Sequence, residues 1–220
     1  MSTGDNVVSR MSDVLFALCE AEKAKVRPTK IQLQKFIYLT DVLGQVVGLM
    51  KLREGHKTYR NGPYDPSIQN AVDALAFRGL VQVAGLWRTP SGHLAASYVL
   101  AAPGRILLDR LRGAKELARK VHVAGLVGAE LSELGWDRIV DLVYAEPTFV
   151  ATRSYGWGAD LVVEDGLSVS AAFVLAVMRR VATMLQSERA ASPEWVGERF
   201  FAYLNDYDHH YRTSVSQSTG

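Results

Sequence analysis

YRNGPYDPSIQNAVDALAFRGL, Tyr59–Leu80, is the stretch whose reading decides the fold. Asn61-Gly62-Pro63 is a turn signal. Asp65-Pro66 is a helix start, because Asp accepts from the free N–H groups of a first turn and Pro suits the first helical position, where its missing N–H costs nothing. Ile68, Ala71, Val72, Leu75, Ala76 and Gly79 then recur at i, i+3, i+4, i+7, i+8 and i+11, one stripe for burial, while Gln69, Asn70, Asp73 and Arg78 face away. The spacing predicts a helix that begins at Asp65 and is closed by Gly79.

Upstream, QLQKFIYL at Gln32–Leu39 belongs to a second amphipathic pattern. Leu33, Phe36, Ile37, Thr40, Leu43, Gly44 and Val47 share one face, and Lys30, Gln34, Tyr38, Asp41 and Gln45 fall mostly on the other. Val7, Met11, Val14, Leu15, Leu18 and Cys19 make an earlier helix that Arg27-Pro28 stops, and Thr29 can cap the next. Downstream of Gly79 the pattern is extended over Leu80–Trp87, turns at Thr89-Pro90-Ser91-Gly92, and is extended again over Leu94–Leu100. Helix, helix, hairpin and a Gly-led helix at Gly104 is the order of a winged helix-turn-helix. The expected fold class is therefore mainly α with a minor β part. A winged helix-turn-helix-like region with a β-hairpin wing spans 1–102, and a helical region at 103–212 packs on it or mediates assembly. A Ser-rich tail at 213–220 is expected to be disordered.

LQKFIYL followed some twenty residues later by YRNGPYDPSIQNAVDALAFRGLV resembles the Panacea (SocA-like) antitoxin family and the related YwgA-like proteins. The resemblance covers roughly Thr29–Val83 and is carried by Leu33, Gln34, Lys35, Tyr38, Gly62 and Pro63. Tyr64 stands where Panacea sequences more often have an aliphatic residue, which favours the YwgA-like branch. The resemblance implies a binding module without catalysis, whose relatives neutralise toxins.

Composition sets wider bounds. With 220 residues and 48% of them apolar, the chain can build a core. Its single Cys19 rules out an internal disulfide and reads as a small buried hydrophobe in a reducing cytosol. A net charge of +2 is too mild to imply nucleic acid by itself. The polar Met1–Asn6 lacks the basic start and apolar core of an export signal, and Val169–Met178 is too short to span a bilayer, so the cytoplasm is the expected location.

From Pro103 a helix is expected to about Val123, with Leu107, Leu111, Ala114, Ala118 and Val121 buried. Gly125–Gly128 then reads as a boundary, and Leu131–Tyr144 as a helix stopped by Glu146-Pro147. Tyr155-Gly156-Trp157-Gly158 lacks the third Gly and the preceding strand of a dinucleotide fingerprint, so no cofactor is expected. Leu167–Gln186 is apolar nearly all round between Val169 and Met178, which suits a buried helix or a homodimer interface. Ser192-Pro193 starts a last helix lined by Val196, Phe200, Tyr203, Leu204, Tyr207 and Tyr211.

No catalytic residues are assigned. Asp206, Asp208, His209 and His210 are the densest possible metal ligands, yet consecutive histidines diverge by about 100° on a helix and lack the i, i+4 geometry of a zinc site, so no metal is expected. Lys23, Lys25, Arg27, Lys30 and Lys35 surround one helix junction, and Lys51, Arg53, His56, Lys57 and Arg60 arrive with Tyr59 before the Gly-Pro turn. The candidate residues for binding a partner or nucleic acid are Lys30, Lys35, Tyr38, Lys57, Arg60, Gly62, Pro63, Tyr64, Arg78 and Arg88. A toxin-like protein partner is favoured. A DNA-binding regulator and a structural subunit of a defence or regulatory assembly are the alternatives.

Overall fold

The computed structural model describes residues 3–50, 55–161, 168–174, 176–177 and 192–218. The chain is mainly helical with one two-stranded antiparallel hairpin. Its elements are α1 (Thr3–Lys23), α2 (Lys30–Val46), α3 (Pro66–Phe77), β1 (Val81–Arg88), β2 (Leu94–Leu100), α4 (Ala102–Arg112), a 3-10 turn at Lys115–Leu117, α5 (Ala118–Ala145), α6 (Pro147–Arg153), a helix over residues 169–174 and 176–177 (α7), and α8 (Pro193–Ser218). Contacts group them into two compact units, each made of two segments. Met1–Ile37 with Asp65–Trp136 form the first, and Tyr38–Tyr64 with Asp137–Gly220 the second.

In the first unit α1 packs on α3, and the hairpin follows α3 directly. Asp65 sits in an extended conformation as the N-cap and accepts from the Ser67 N–H at 2.8 Å. Gly79, in the left-handed region at φ 67, lets Leu80 N–H reach the Leu75 carbonyl at 2.9 Å and its own N–H reach Ala76 at 3.0 Å, which closes the helix. Ile68, Ala71, Val72 and Leu75 are the buried stripe, as their spacing predicts, and meet Val14, Leu15 and Leu18 of α1 in the same core. The strands pair in register from Val81↔Leu100 to Arg88↔Leu94 with a bulge between Val83 and Gly85. Gly104 fixes the start of α4, because a Cβ there would lie 2.0 Å from the Leu80 carbonyl oxygen.

In the second unit Leu39, Val42, Leu43 and Val46 of α2 are buried with Ile139, Leu142 and Val143 of α5, Phe149 of α6, and Val196, Phe200 and Leu204 of α8. Arg138 donates from Nε to Asn205 Oδ1 at 2.9 Å and from Nη1 to the Asp208 carboxylate, which ties α5 to α8.

Four expectations from the sequence are corrected. Helix α2 has no solvated side from Leu33 to Val46: Gln34, Lys35, Tyr38, Thr40, Asp41 and Gln45 are as buried as their apolar neighbours. The helix expected from Pro103 to Val123 is broken after Arg112, and its buried residues are Gly104 and Leu108 rather than the Leu107–Leu111 line. Gly125–Gly128 is not a boundary, since α5 runs through it and leaves helical geometry only at Gly135, with φ 76. Gly128 instead admits Glu20 of α1, whose Cβ a side chain at 128 would meet at 2.7 Å. The Ser-rich end is helical to Ser218, because extending a nucleated helix costs only about 0.5 kcal/mol per Ser or Thr. Lys51 and Arg53, together with Leu167, Leu175, Met178 and Gln186 of the expected apolar helix, lie outside the described residues.

Candidate functional site

The Gln34–Asp65 region holds the densest polar structure of the first unit. The Gln34 amide exchanges two hydrogen bonds with the Asp65 backbone, at 2.8 and 2.9 Å. The Asp65 carboxylate caps α3 through Oδ1, and its Oδ2 accepts from Arg10 Nε at 2.8 Å; both side chains are 2% exposed. Arg10 also reaches Asp13, which pairs in turn with Lys120 of α5 at 2.5 Å. Lys35, one residue on from Gln34, is 1% exposed, and burial pushes its ammonium down to about 7.

The second unit has a polar core of its own. Glu146, the N-cap of α6, is fully buried and accepts from Thr148 Oγ1 and Ser170 Oγ at 2.7 Å each, from the Phe149 N–H at 2.9 Å, and from the Tyr38 hydroxyl. Burial, with the carboxylate beside it, holds the Tyr38 phenol well above its usual value. One turn on in α2, Asp41 Oδ2 lies 2.9 Å from His56 Nε2. Gln45 accepts from the Ser168 N–H at 2.6 Å. Four donors meet the Glu146 carboxylate, so this cluster fixes α2, α6 and α7 together.

The ten candidate residues are dispersed. Lys35 and Tyr38 are buried and unavailable at a surface. Lys30 pairs with Asp73 at 2.5 Å and lies 5.8 Å above the Tyr98 ring. Lys57 pairs with Asp160 at 3.6 Å, and its backbone exchanges hydrogen bonds with Tyr64 at 2.9 and 3.0 Å. Gly62 turns at φ 86, Gly62 and Pro63 are buried, and Tyr64 is half-buried with its ring 5.1 Å from Tyr59. Arg60 is exposed. Arg78 reaches Met11 Sδ at 3.8 Å, and Arg88 donates to the Gly92 carbonyl of its own turn at 3.1 Å. Lys30, Lys35, Arg78 and Arg88 belong to the first unit, and the other six to the second. Asp208, a candidate metal ligand, is bound to Arg138; among the described residues no three His, Cys, Asp or Glu side chains are placed to hold a metal ion.

The hairpin that carries the candidate Arg88 also exposes apolar side chains that its strand pattern did not single out. Leu86 and Leu94 are 63% and 66% exposed and share one face with Arg88, since the cross-strand partners are Leu86↔Ala96 and Arg88↔Leu94. Trp87, 43% exposed, lies on the other face with its ring over Gly85. Phe77, at the end of α3, is almost wholly exposed. Odd and even positions that are apolar together in a hairpin were the available signal.

No protein-family model matches the chain, and no curated protein matches it. Among the described residues no helix is long and apolar enough to cross a membrane.

Proposed function

We propose that the chain is a non-enzymatic interaction protein of winged helix-turn-helix build, which holds a cytosolic protein partner in the manner of an antitoxin. The observation that carries this reading is the apolar hairpin. A wing that grips nucleic acid offers Lys and Arg to phosphates. This one offers Leu86 and Leu94 on one face and Trp87 on the other, and its Arg88 is engaged within its own turn. Clustered exposed apolar side chains mark protein interaction sites, and Trp is prominent among residues that dominate binding energy. The order α1, α2, α3, β1, β2 and the Panacea-like blocks support the same reading. In the second unit, Tyr155 and Trp157 add an exposed aromatic pair on a loop held by Thr58, whose hydroxyl donates to the Gly156 carbonyl at 2.6 Å. The pairing of Lys30 and Lys57 and the burial of Lys35 remove most of the expected phosphate contacts.

The test is purification of the chain from its native host at near-physiological salt, as wild type and as the Leu86→Asp, Leu94→Asp double variant. The expected result is a stoichiometric protein partner that the double variant releases with its melting temperature unchanged. The DNA-binding alternative predicts instead an affinity for upstream DNA that falls steeply with salt, with a log–log slope reduced by about 1 on changing Arg60 to Ala; that outcome overturns the proposal.

A further inference from the structure

We infer that the open edge of β1 takes up an extended segment of the protein partner, which adds a third strand to the hairpin. This inference rests on the reading of the chain as a protein binder.

The hairpin has one sealed edge and one open one. On β2 the Tyr98 N–H, directed away from β1, donates to the Pro28 carbonyl at 2.9 Å, and Ser97 bridges to Thr29. Backbone groups alternate between the two edges of a strand, so with Tyr98 outward, Ala96 and Leu94 are outward too. The residues directly opposite them on β1, Leu86 and Arg88, therefore turn their N–H and C=O groups to the other side of the hairpin. Among the described residues no hydrogen bond from outside the hairpin reaches those groups. An extended backbone is the chemistry that meets such an alternating row of donors and acceptors. Edges of this kind are normally blunted by Lys, by Pro or by brevity. β1 is eight residues long, VQVAGLWR, and has neither Lys nor Pro. Its bulge lies between Val83 and Gly85, which leaves Gly85–Arg88 regular.

The exposed apolar side chains point to the same occupant. Leu86 and Trp87 are 63% and 43% exposed and stand on opposite faces of the hairpin. A helix or a globular surface laid on the hairpin covers one face and leaves the other wet. The side chains of an added strand alternate between the faces, so it lies beside Leu86 on one and beside Trp87 on the other. A second copy of this chain fits the edge less well. Antiparallel self-pairing brings the exposed Arg88 of each copy toward the start of the other's β1, where Arg78 is exposed as well, and like charges there oppose the pairing.

The experiment measures fluorescence anisotropy of the full chain with a labelled peptide of alternating valine and threonine, against the same peptide N-methylated throughout, which keeps every side chain and loses every backbone donor. The expected result is binding at least about tenfold weaker for the methylated peptide, the scale of one or two lost hydrogen bonds. Hydrogen exchange read by NMR should slow at the Leu86 and Arg88 amides when the unmethylated peptide is added. Arg88→Pro removes an outward N–H and spares the ladder to β2, so it should weaken binding well beyond Arg88→Thr, which keeps that N–H. Equal binding of the two peptides overturns the inference, as does exchange unchanged at both amides or no saturable binding below about 1 mM. Sedimentation that shows a dimer split by Arg88→Pro assigns the edge to a second copy and overturns it too. A native protein partner that the Leu86→Asp, Leu94→Asp variant releases and Arg88→Pro retains leaves the protein-binder reading in place and overturns the added strand.

Discussion

The side-chain amide of Gln34 and the backbone of Asp65 exchange two hydrogen bonds, Nε2 donating to the carbonyl oxygen at 2.8 Å and Oε1 accepting the N–H at 2.9 Å. A buried backbone N–H and C=O must find partners somewhere, and here a helix side chain supplies both in place of a neighbouring strand. Gln34→Ala strands the Asp65 N–H, while the carbonyl keeps the Ile68 N–H at 3.1 Å, and should cost about 1 to 3 kcal/mol. Gln34→Glu keeps the acceptor but turns a second acceptor on the carbonyl oxygen and buries a carboxylate, so it should cost more than Gln34→Ala. Urea denaturation ranks the two variants against wild type; a Gln34→Ala midpoint equal to that of wild type would show that the clamp contributes no stability.

Asp65 is more than the helix cap that the Asp-Pro pair announces. As a cap alone, its change to Ala would cost about 1 kcal/mol. The Arg10 guanidinium, 2% exposed, rests on the same carboxylate; Asp13 would still hold its Nη1 at 3.1 Å, but the buried Nε–H would lose its acceptor, which raises the expected cost to about 2 to 4 kcal/mol. Asp65→Asn, which still accepts from Ser67 N–H, should separate the two contributions. In an Arg10→Met background Asp65→Ala should fall back toward the cost of the cap, and a double-mutant cycle reads the difference.

Legibility in the sequence followed the range of the interactions. Helix α3, its two caps and the hairpin are written in neighbouring residues, and their caps and limits agree with the structure to within a residue or two. Helix α2 misled because amphipathic reasoning assumes one solvated face, whereas Gln34, Tyr38 and Asp41 are buried against residues far along the chain. Arg10 and Asp65 are 55 positions apart, and Tyr38 and Glu146 are 108 apart. No local pattern encodes such pairs. Gly128 shows the same limit, since a glycine that admits Glu20 and a glycine that ends a helix look alike in a string of letters. The exposed hairpin was missed for a different reason: its apolar residues were counted as strand formers, and their exposure depends on what does not cover them.

Lys35 makes stability depend on pH. Its ammonium, at about 10.4 in an unfolded chain, is pushed down to about 7 by burial. Below pH 7 both states hold the proton, and the penalty for the buried charge is fully present. Between about pH 7 and 10 the unfolded chain holds a proton that the folded chain has released, so stability rises with pH by up to about 1.4 kcal/mol per unit. The Lys35→Met variant should be more stable than wild type at pH 6, with the gap closing between pH 7 and 9 as wild type gains stability. Denaturant midpoints at four pH values check this. A gap that is constant across the range would mean that Lys35 does not titrate there.

Glu146 tests whether the polar core of the second unit is structural. Thr148 and Ser170 hydroxyls donate to Oε1, while the Phe149 N–H and the Tyr38 hydroxyl donate to Oε2. In Glu146→Gln the new NH2 cannot face the Phe149 N–H, which has no lone pair to accept with. It must turn to Thr148 and Ser170, whose hydroxyls can rotate to accept, so the cost should be about 1 to 2 kcal/mol. Glu146→Ala strands all four donors and should cost about 3 to 5 kcal/mol. Tyr38→Phe should cost about 1 to 2 kcal/mol alone and almost nothing further in the Glu146→Ala background, because its partner is already gone. Additive losses for Tyr38→Phe and Glu146→Ala would show that the two side chains do not act as one network. A cluster that instead served a substrate would yield its substitutions in function with stability preserved.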